Sequence, residues 1–157
     1  MDTENLIKWN TKEQNKKLVE EYPFLLPRNV FSDKLIEDYD YEFTWLDDLP
    51  DTWRDKFSEP MLKELKEILI EGNYLNEYRI MQIKEKFSTL RWYDNGIPKC
   101  VSDKYNDWLL KYEKISGEIC FYCGEPAVGR TRGWILAICQ ECADEKDAKI
   151  NYFMVAQ

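Results

Sequence analysis

Cys120-Phe121-Tyr122-Cys123-Gly124, followed by Cys139-Gln140-Glu141-Cys142, is the stretch on which the reading of this chain turns. The spacing is C-x2-C-x15-C-x2-C, one of those that mark a zinc site. Two cysteines with two residues between them can turn both sulfurs to one point, giving two corners of a tetrahedron with Zn–S near ~2.3 Å. Gly124 can take the positive φ that so tight a turn favours. The intervening residues are enough for a hairpin that brings the second pair back to the first. In it Gly129 reads as a turn, and Trp134, Ile135, Leu136 and Ile138 as the return strand.

The expected site is therefore one structural Zn²⁺ held by Cys120, Cys123, Cys139 and Cys142, closed to water and substrate because four thiolates fill the coordination sphere. The rival readings are a pair of disulfides or a redox C-x-x-C. No βαβ pattern surrounds the motif, as a redox C-x-x-C would require. Met1-Asp2-Thr3-Glu4-Asn5 is polar, with no apolar signal segment, so a reducing cytoplasm is expected, where thiolates are available to metal.

Working outward, 157 residues suffice for one domain with a small metal-binding appendage. We expect an α+β body over 1–117 and a zinc-ribbon-like unit over 118–157 packed on it. The net charge of −8 disfavours a general nucleic-acid binder, which carries a basic footprint. It suits a protein that binds a basic surface. The chain has no histidine, which removes Ser-His and Cys-His nucleophile pairs, His-metal nuclease centres and mixed Cys/His zinc ligation. No catalytic residue is nominated.

In the body, Thr11 is expected to cap a helix running to Glu20–Glu21. Pro23 and Pro27 bracket an extended apolar segment. Ser58-Glu59-Pro60 reads as a helix start with Pro60 in the first position. Met61, Leu62, Leu65, Ile68 and Leu69 form its apolar stripe, and Gly72 closes it. A hairpin is expected over 78–93 at the centre of an antiparallel sheet, with a turn at Asp94-Asn95-Gly96. Ser102 then caps a helix with Tyr105, Trp108, Leu109, Tyr112 and Ile115 on one face, ending at Gly117. The charged 143–149 segment reads as a final helical turn. Cys100 lies outside the metal spacing and reads as a spare, partly buried thiol.

One segment is strongly acidic. Asp33, Glu37, Asp38, Asp40, Glu42, Asp47, Asp48 and Asp51 are opposed within their window by Lys34 alone. Tyr39, Tyr41, Phe43 and Trp45 alternate with them in the period-2 pattern of a half-buried strand. Two readings compete: an ordinary solubilising surface, or a negative strip with aromatic anchors that meets a basic groove in place of nucleic-acid phosphates. Asp47-Asp48 holding Mg²⁺ is a third possibility. Arg79, Lys84, Lys86 and Arg91 are the local basic patch; with Trp92 and Tyr93 they could stack on nucleic acid, and the favoured reading is pairing within the molecule, as with the 33–51 acids.

Tyr22-Pro23-Phe24-Leu25-Leu26-Pro27-Arg28-Asn29, Tyr78 through Lys86, Leu90-Arg91-Trp92-Tyr93-Asp94-Asn95-Gly96, and Gly133-Trp134 ahead of Cys139 carry a resemblance. They resemble a family of small proteins encoded by phages and prophages of Gram-positive bacteria. The resemblance covers nearly the whole chain and carries the cysteine quartet over to Cys120, Cys123, Cys139 and Cys142; its motifs specify no activity. In size, acidity and lack of catalytic residues the chain is also similar to phage anti-CRISPR proteins that block Cas9. That analogy implies a non-enzymatic inhibitor whose acidic strip occupies the positive channel of a type II effector and hinders target DNA loading. The alternative is a zinc-ribbon nucleic-acid or transcription adaptor using Arg130, Arg132, Lys84 and Arg91.

Overall fold

A computed structural model describes residues 10–29, 32 and 34–154. Among these residues the fold is α+β, with four α-helices and two small antiparallel sheets. Asp33 lies outside the described residues, as do the first nine and last three residues.

Helix α1 (Lys12–Glu21) starts where the sequence places it. The Gln14 N–H donates to Thr11 Oγ1 at 3.1 Å and the Thr11 N–H donates to Gln14 Oε1 at 2.8 Å, so two otherwise unpaired donors satisfy each other's residues. The bracketed Pro23–Leu25 is a single 3₁₀ turn rather than an extended segment, and it buries Phe24 and Leu25.

Helix α2 (Asp51–Glu71) does not begin at Pro60; it starts nine residues earlier, after Pro50, and carries Pro60 inside it. Trp53, Phe57, Met61, Leu65 and Leu69 recur every four residues and are all buried, so one apolar stripe runs straight past the proline. Pro60 is exposed and forfeits one backbone bond, a local cost that the continuous buried face outweighs. Truncating a fully buried member such as Leu65 to alanine costs about 2–5 kcal/mol. At the C-terminal end Gly72 is the cap, as expected, though at φ −79°, and Asn73 takes the left-handed turn at φ 50°. Gly72 is needed for space instead: a Cβ there would come within 2.9 Å of Val101 Cγ2.

Helix α3 (Ser102–Glu118) packs antiparallel to α2. Glu71 meets Lys104 at 2.7 Å and Glu64 meets Lys111 at 2.8 Å, so the partners run in opposite order. Tyr105, Trp108 and Tyr112 are buried between the layers, and Trp108 Nε1 donates to the Met61 carbonyl at 2.9 Å. Ser102 is the first helical residue, not the cap; a 3₁₀ turn over Lys99–Val101 leads into it, and its hydroxyl donates to the Lys99 carbonyl. Gly117 lies within the helix and is buried, where an added Cβ would meet Thr89 Cγ2 at 3.1 Å.

Strands β1 (Ile80–Lys86) and β2 (Thr89–Asp94) form the expected hairpin, with a bulge between Ile80 and Gln82. They make a two-stranded ribbon by themselves, not the centre of a larger sheet. Ile80, Ile83, Leu90 and Trp92 face the helices, and Trp92 meets Trp108 edge-on at 5.5 Å. The turn residues Phe87 and Ser88 both have positive φ, 52° and 64°, the backbone twist that a two-residue hairpin requires. A buried network locks the ribbon's open end: Trp92 Nε1 donates to Tyr78 Oη at 2.8 Å, and the Tyr78 and Tyr105 hydroxyls both donate to Asp94 Oδ2.

The C-terminal sheet has the order β4 (Ala137–Ile138), β3 (Gly129–Thr131), β5 (Ile150–Tyr152). Gly129 is in the central strand rather than a turn. A Cβ at that position would lie 2.4 Å from the Asn151 carbonyl oxygen and 2.6 Å from Ile150 Cγ2, so β3 and β5 approach this closely only at glycine. The turn falls at Gly133, φ 82°, and the return strand is short, leaving Trp134 exposed at its tip. The tail contributes a helix, α4 (Gln140–Glu145), and then strand β5, which the sequence reading did not foresee.

Candidate metal centre

The four cysteines come together as the spacing requires. The sulfurs of Cys120, Cys123, Cys139 and Cys142 all lie within 4.8 Å of one another, and Cys123 Sγ and Cys139 Sγ are 3.6 Å apart. All are free thiols; none is in a disulfide. Cys120, Cys139 and Cys142 are buried and Cys123 is exposed. The group can hold a metal ion, and a quartet of mutually close sulfurs is the donor set of a tetrahedral site.

Each pair is built by a local device. In the first, Gly124 at φ 81° lets its N–H turn back to the Cys120 carbonyl at 2.8 Å, while the Cys120 N–H donates to the Glu125 carbonyl. In the second, Cys139 caps α4: its sulfur accepts the Cys142 N–H at 3.4 Å, and its carbonyl accepts the Ala143 N–H at 3.1 Å. Ile138, Ala143, Ala148 and Ile150 pack around the cluster. Burial by itself would raise the Cys120 thiol, but the backbone N–H groups of Cys123, Cys139 and Tyr122 outweigh it and pull the thiol down to about 7. Burial and the neighbouring sulfurs push Cys142 up. The cradle thus already favours negative charge on one sulfur, as a metal-binding thiolate needs.

The centre is joined to the body at two places. A Cβ on Gly124 would lie 2.4 Å from Lys56 Cε of α2, and the Phe121 ring meets Trp53 edge-on at 6.0 Å. On the other side, the fully buried Ser88 at the hairpin tip accepts the Ala137 N–H of β4 on its Oγ at 2.7 Å. Its own N–H donates to Glu85 Oε1.

The acidic segment is not the expected strand. Asp38 and Tyr41 have positive φ, 56° and 65°, so the backbone doubles back instead of extending, and Trp45–Asp48 is a 3₁₀ turn capped by Thr44. Tyr39 packs on Tyr41 and Phe43 at 5.0 and 5.6 Å, making a small aromatic cluster of the residues that alternate in sequence. Asn15 Nδ2 pins the loop to α1 by donating to the Tyr41 carbonyl at 2.8 Å.

The carboxylates divide into groups. Asp47 and Asp51 hold Arg54 at 3.0 and 3.2 Å, and Asp47 also accepts the Thr44 N–H. Asp40 and Glu42 meet Lys12 at 3.1 and 3.6 Å. Glu37 and Asp38 are exposed and make no ion pair among the described residues. Partial burial and the Asp47 charge push the Asp48 carboxyl up. Asp47 and Asp48 are therefore used differently, and the grouping of three or more potential metal ligands among the described residues is the cysteine quartet. Among the described residues, Asp40 and Glu42 pair with Lys12 and Asp47 and Asp51 with Arg54, and none of the acids of this loop pairs with Lys84, Lys86 or Arg91. Sequence reasoning missed the apolar side of this loop: Leu35, Ile36 and Phe43 are exposed beside the acids. A shallow pocket of about 200 Å³ is lined there by Pro27, Ile36, Phe43, Trp45 and Asp48.

Of the remaining candidates, Arg130 lies over the Phe153 ring at 5.1 Å and Arg132 Nε donates to Asn151 Oδ1 at 2.9 Å; both contacts lie within the C-terminal unit. Cys100 is exposed rather than partly buried. No helix among the described residues is long and apolar enough to cross a membrane. Compared with protein-family models, curated proteins and solved structures, the chain matched none of them.

Proposed function

We propose that this chain is a zinc-braced, non-enzymatic binding protein whose 34–48 loop docks on a basic protein surface. The observation that carries the reading is the loop's composition in space. Leu35, Ile36 and Phe43 are exposed together with Glu37, Asp38, Asp40 and Glu42. Apolar anchors beside a predominance of acidic groups, with Lys34 and Lys12 the exceptions, suit a basic protein partner, the charge steering encounter and the apolar groups supplying contact.

The ion is Zn²⁺ in this reading, because four thiolates suit a soft tetrahedral ion and leave no open position for chemistry. Elemental analysis of the purified protein should find one zinc per chain, and replacing Cys139 with Ser should release it. Iron in its place would overturn the assignment.

For the partner, the specific proposal is the one implied by likeness to phage inhibitors: a nucleic-acid-handling effector of host defence, with the guide-loaded Cas9 channel as the basic surface and lost target loading as the result. The test is a target-DNA gel shift with a Cas9–guide complex, with and without the zinc-loaded protein. Native protein should abolish the target shift. Glu37→Lys with Asp38→Asn and Leu35→Ser should restore it; asparagine tolerates the left-handed backbone at 38. Glu67→Lys, on the exposed side of α2, should leave inhibition intact. A target shift that the native protein does not alter would reject Cas9 as the partner.

A further inference from the structure

The outward face of the β1–β2 ribbon is a different surface, with the opposite sign of charge. Register places Lys84 directly across from Arg91, Lys86 across from Thr89, and Gln82 across from Tyr93, all on the face turned away from Ile83, Leu90 and Trp92. Like charges directly opposite one another weaken a strand pair. A chain with eight net negative charges has ample carboxylates to offset them, yet none among the described residues does so. Lys84, Lys86 and Arg91 make no ion pair among the described residues, whereas Lys12, Lys104 and Lys111 each meet a carboxylate within 3.1 Å. The ribbon's own acids are turned to other work. Glu85 accepts the Ser88 N–H, and Asp94 accepts from Gly96, Tyr78 and Tyr105. Among the described residues of the ribbon, the charged groups on the outward face are the cations Lys84, Lys86 and Arg91.

Aromatic rings sit among these cations. Tyr93 and Phe87 are each about half exposed, with Lys84 Nζ 5.6 Å from the Tyr93 ring and Lys86 Nζ 5.8 Å from the Phe87 ring. Residues two apart on a strand are about 6.8 Å apart, so Lys84 and Lys86 present charges at a spacing that adjacent phosphates of an extended strand can reach. Exposed rings beside them offer π-faces to unpaired bases, the combination by which single strands are held without sequence preference. An acidic peptide would complement the charge but make no use of the rings.

We infer that this ribbon face, built from Lys84, Lys86, Arg91, Tyr93 and Phe87, binds single-stranded nucleic acid. The inference uses neither the acidic loop nor the metal ligands, so it stands or falls apart from the reading above. Three cations on phosphates give a slope of log K against log salt of about −2 for a single strand.

The test is fluorescence anisotropy of a labelled oligothymidylate longer than one site, about 4–16 nucleotides, titrated with the full-length zinc-loaded chain between about 50 and 200 mM salt. Saturable binding with a Kd on the order of 1–100 µM and the stated slope is expected. Lys84→Gln with Arg91→Gln should weaken it and flatten the slope. Tyr93→Leu, which keeps an apolar side chain, should weaken it on the order of tenfold through the lost stack. Lys104→Gln, remote on α3, should change nothing. Absence of binding at the lowest salt, equal loss in the Lys104 variant, or retention in the ribbon variants would overturn the inference. Tighter binding of polyglutamate than of the oligonucleotide would reassign the face to an acidic protein.

Discussion

Asp48 shows how one carboxylate in the acidic loop differs from its neighbours. Asp47 beside it is satisfied by Arg54 and the Thr44 N–H, while Asp48 lines the pocket formed by Pro27, Ile36, Phe43 and Trp45. Partial burial and the Asp47 charge raise its carboxyl. A raised carboxyl destabilises the native state above its folded pKa, and the penalty disappears once pH falls below the unfolded value, where both states are neutral. Asp48→Asn should therefore raise Tm at pH 7 by on the order of 1 °C and make no difference at pH 3. Paired calorimetric scans of the two proteins would read this, since both release metal alike in acid. An equal gain at both pH values would assign the effect to something other than ionisation.

At the scale of elements, α2 is the member whose sequence signals conflict. Ser58-Glu59-Pro60 has the chemistry of a helix start, yet the helix is already well under way there. The Ser58 hydroxyl donates to the Arg54 carbonyl, a bond made inside a helix rather than at its cap. An internal proline costs about 3 kcal/mol in a helix that could otherwise complete its bonds. Because Pro60 is exposed, Pro60→Ala should stabilise the chain by about 1–3 kcal/mol and raise Tm by roughly 2–12 °C. A fall in Tm would show that the proline shapes α2 for its contact with α3. The hairpin is a similar case: Phe87 and Ser88 adopt positive φ without glycine, and Ser88 is held there by Glu85 and by Ala137 of the metal-binding unit.

At the scale of the whole molecule, the aromatic core of the helices and hairpin and the small cluster around the cysteines are distinct groups of buried residues. They meet through Lys56 against Gly124, Phe121 against Trp53, and Ser88 against Ala137. Metal binding at such a quartet is folding free energy for the segment that carries it. Stripping the ion with a chelator should remove hydrogen-exchange protection from 119–152 and from the hairpin tip at 86–88, while α2 and α3 keep theirs. Simultaneous loss of protection throughout the chain would show that the two clusters fold as one unit.

The chain by itself determined whatever depends on local spacing. Two C-x2-C pairs select a quartet because each pair is a self-contained turn; Thr11 with Gln14 selects a helix start; and Tyr105, Trp108 and Tyr112 select a buried helical face. Alternation at Tyr39, Tyr41, Phe43 and Trp45 predicts a strand, yet only the first three share an aromatic cluster and Trp45 starts a 3₁₀ turn against the core, because a strand also needs a partner edge and unkinked backbone, which no local pattern reports. Gly72 closes α2 as its local position indicates, but Gly129 lies in a strand instead of a turn, because β5 comes too close there for a Cβ. The exposed apolar side of the acidic loop and the unopposed cations of the ribbon were likewise decided only in three dimensions, since ion pairing and exposure depend on distant segments that the tertiary structure brings near or keeps apart.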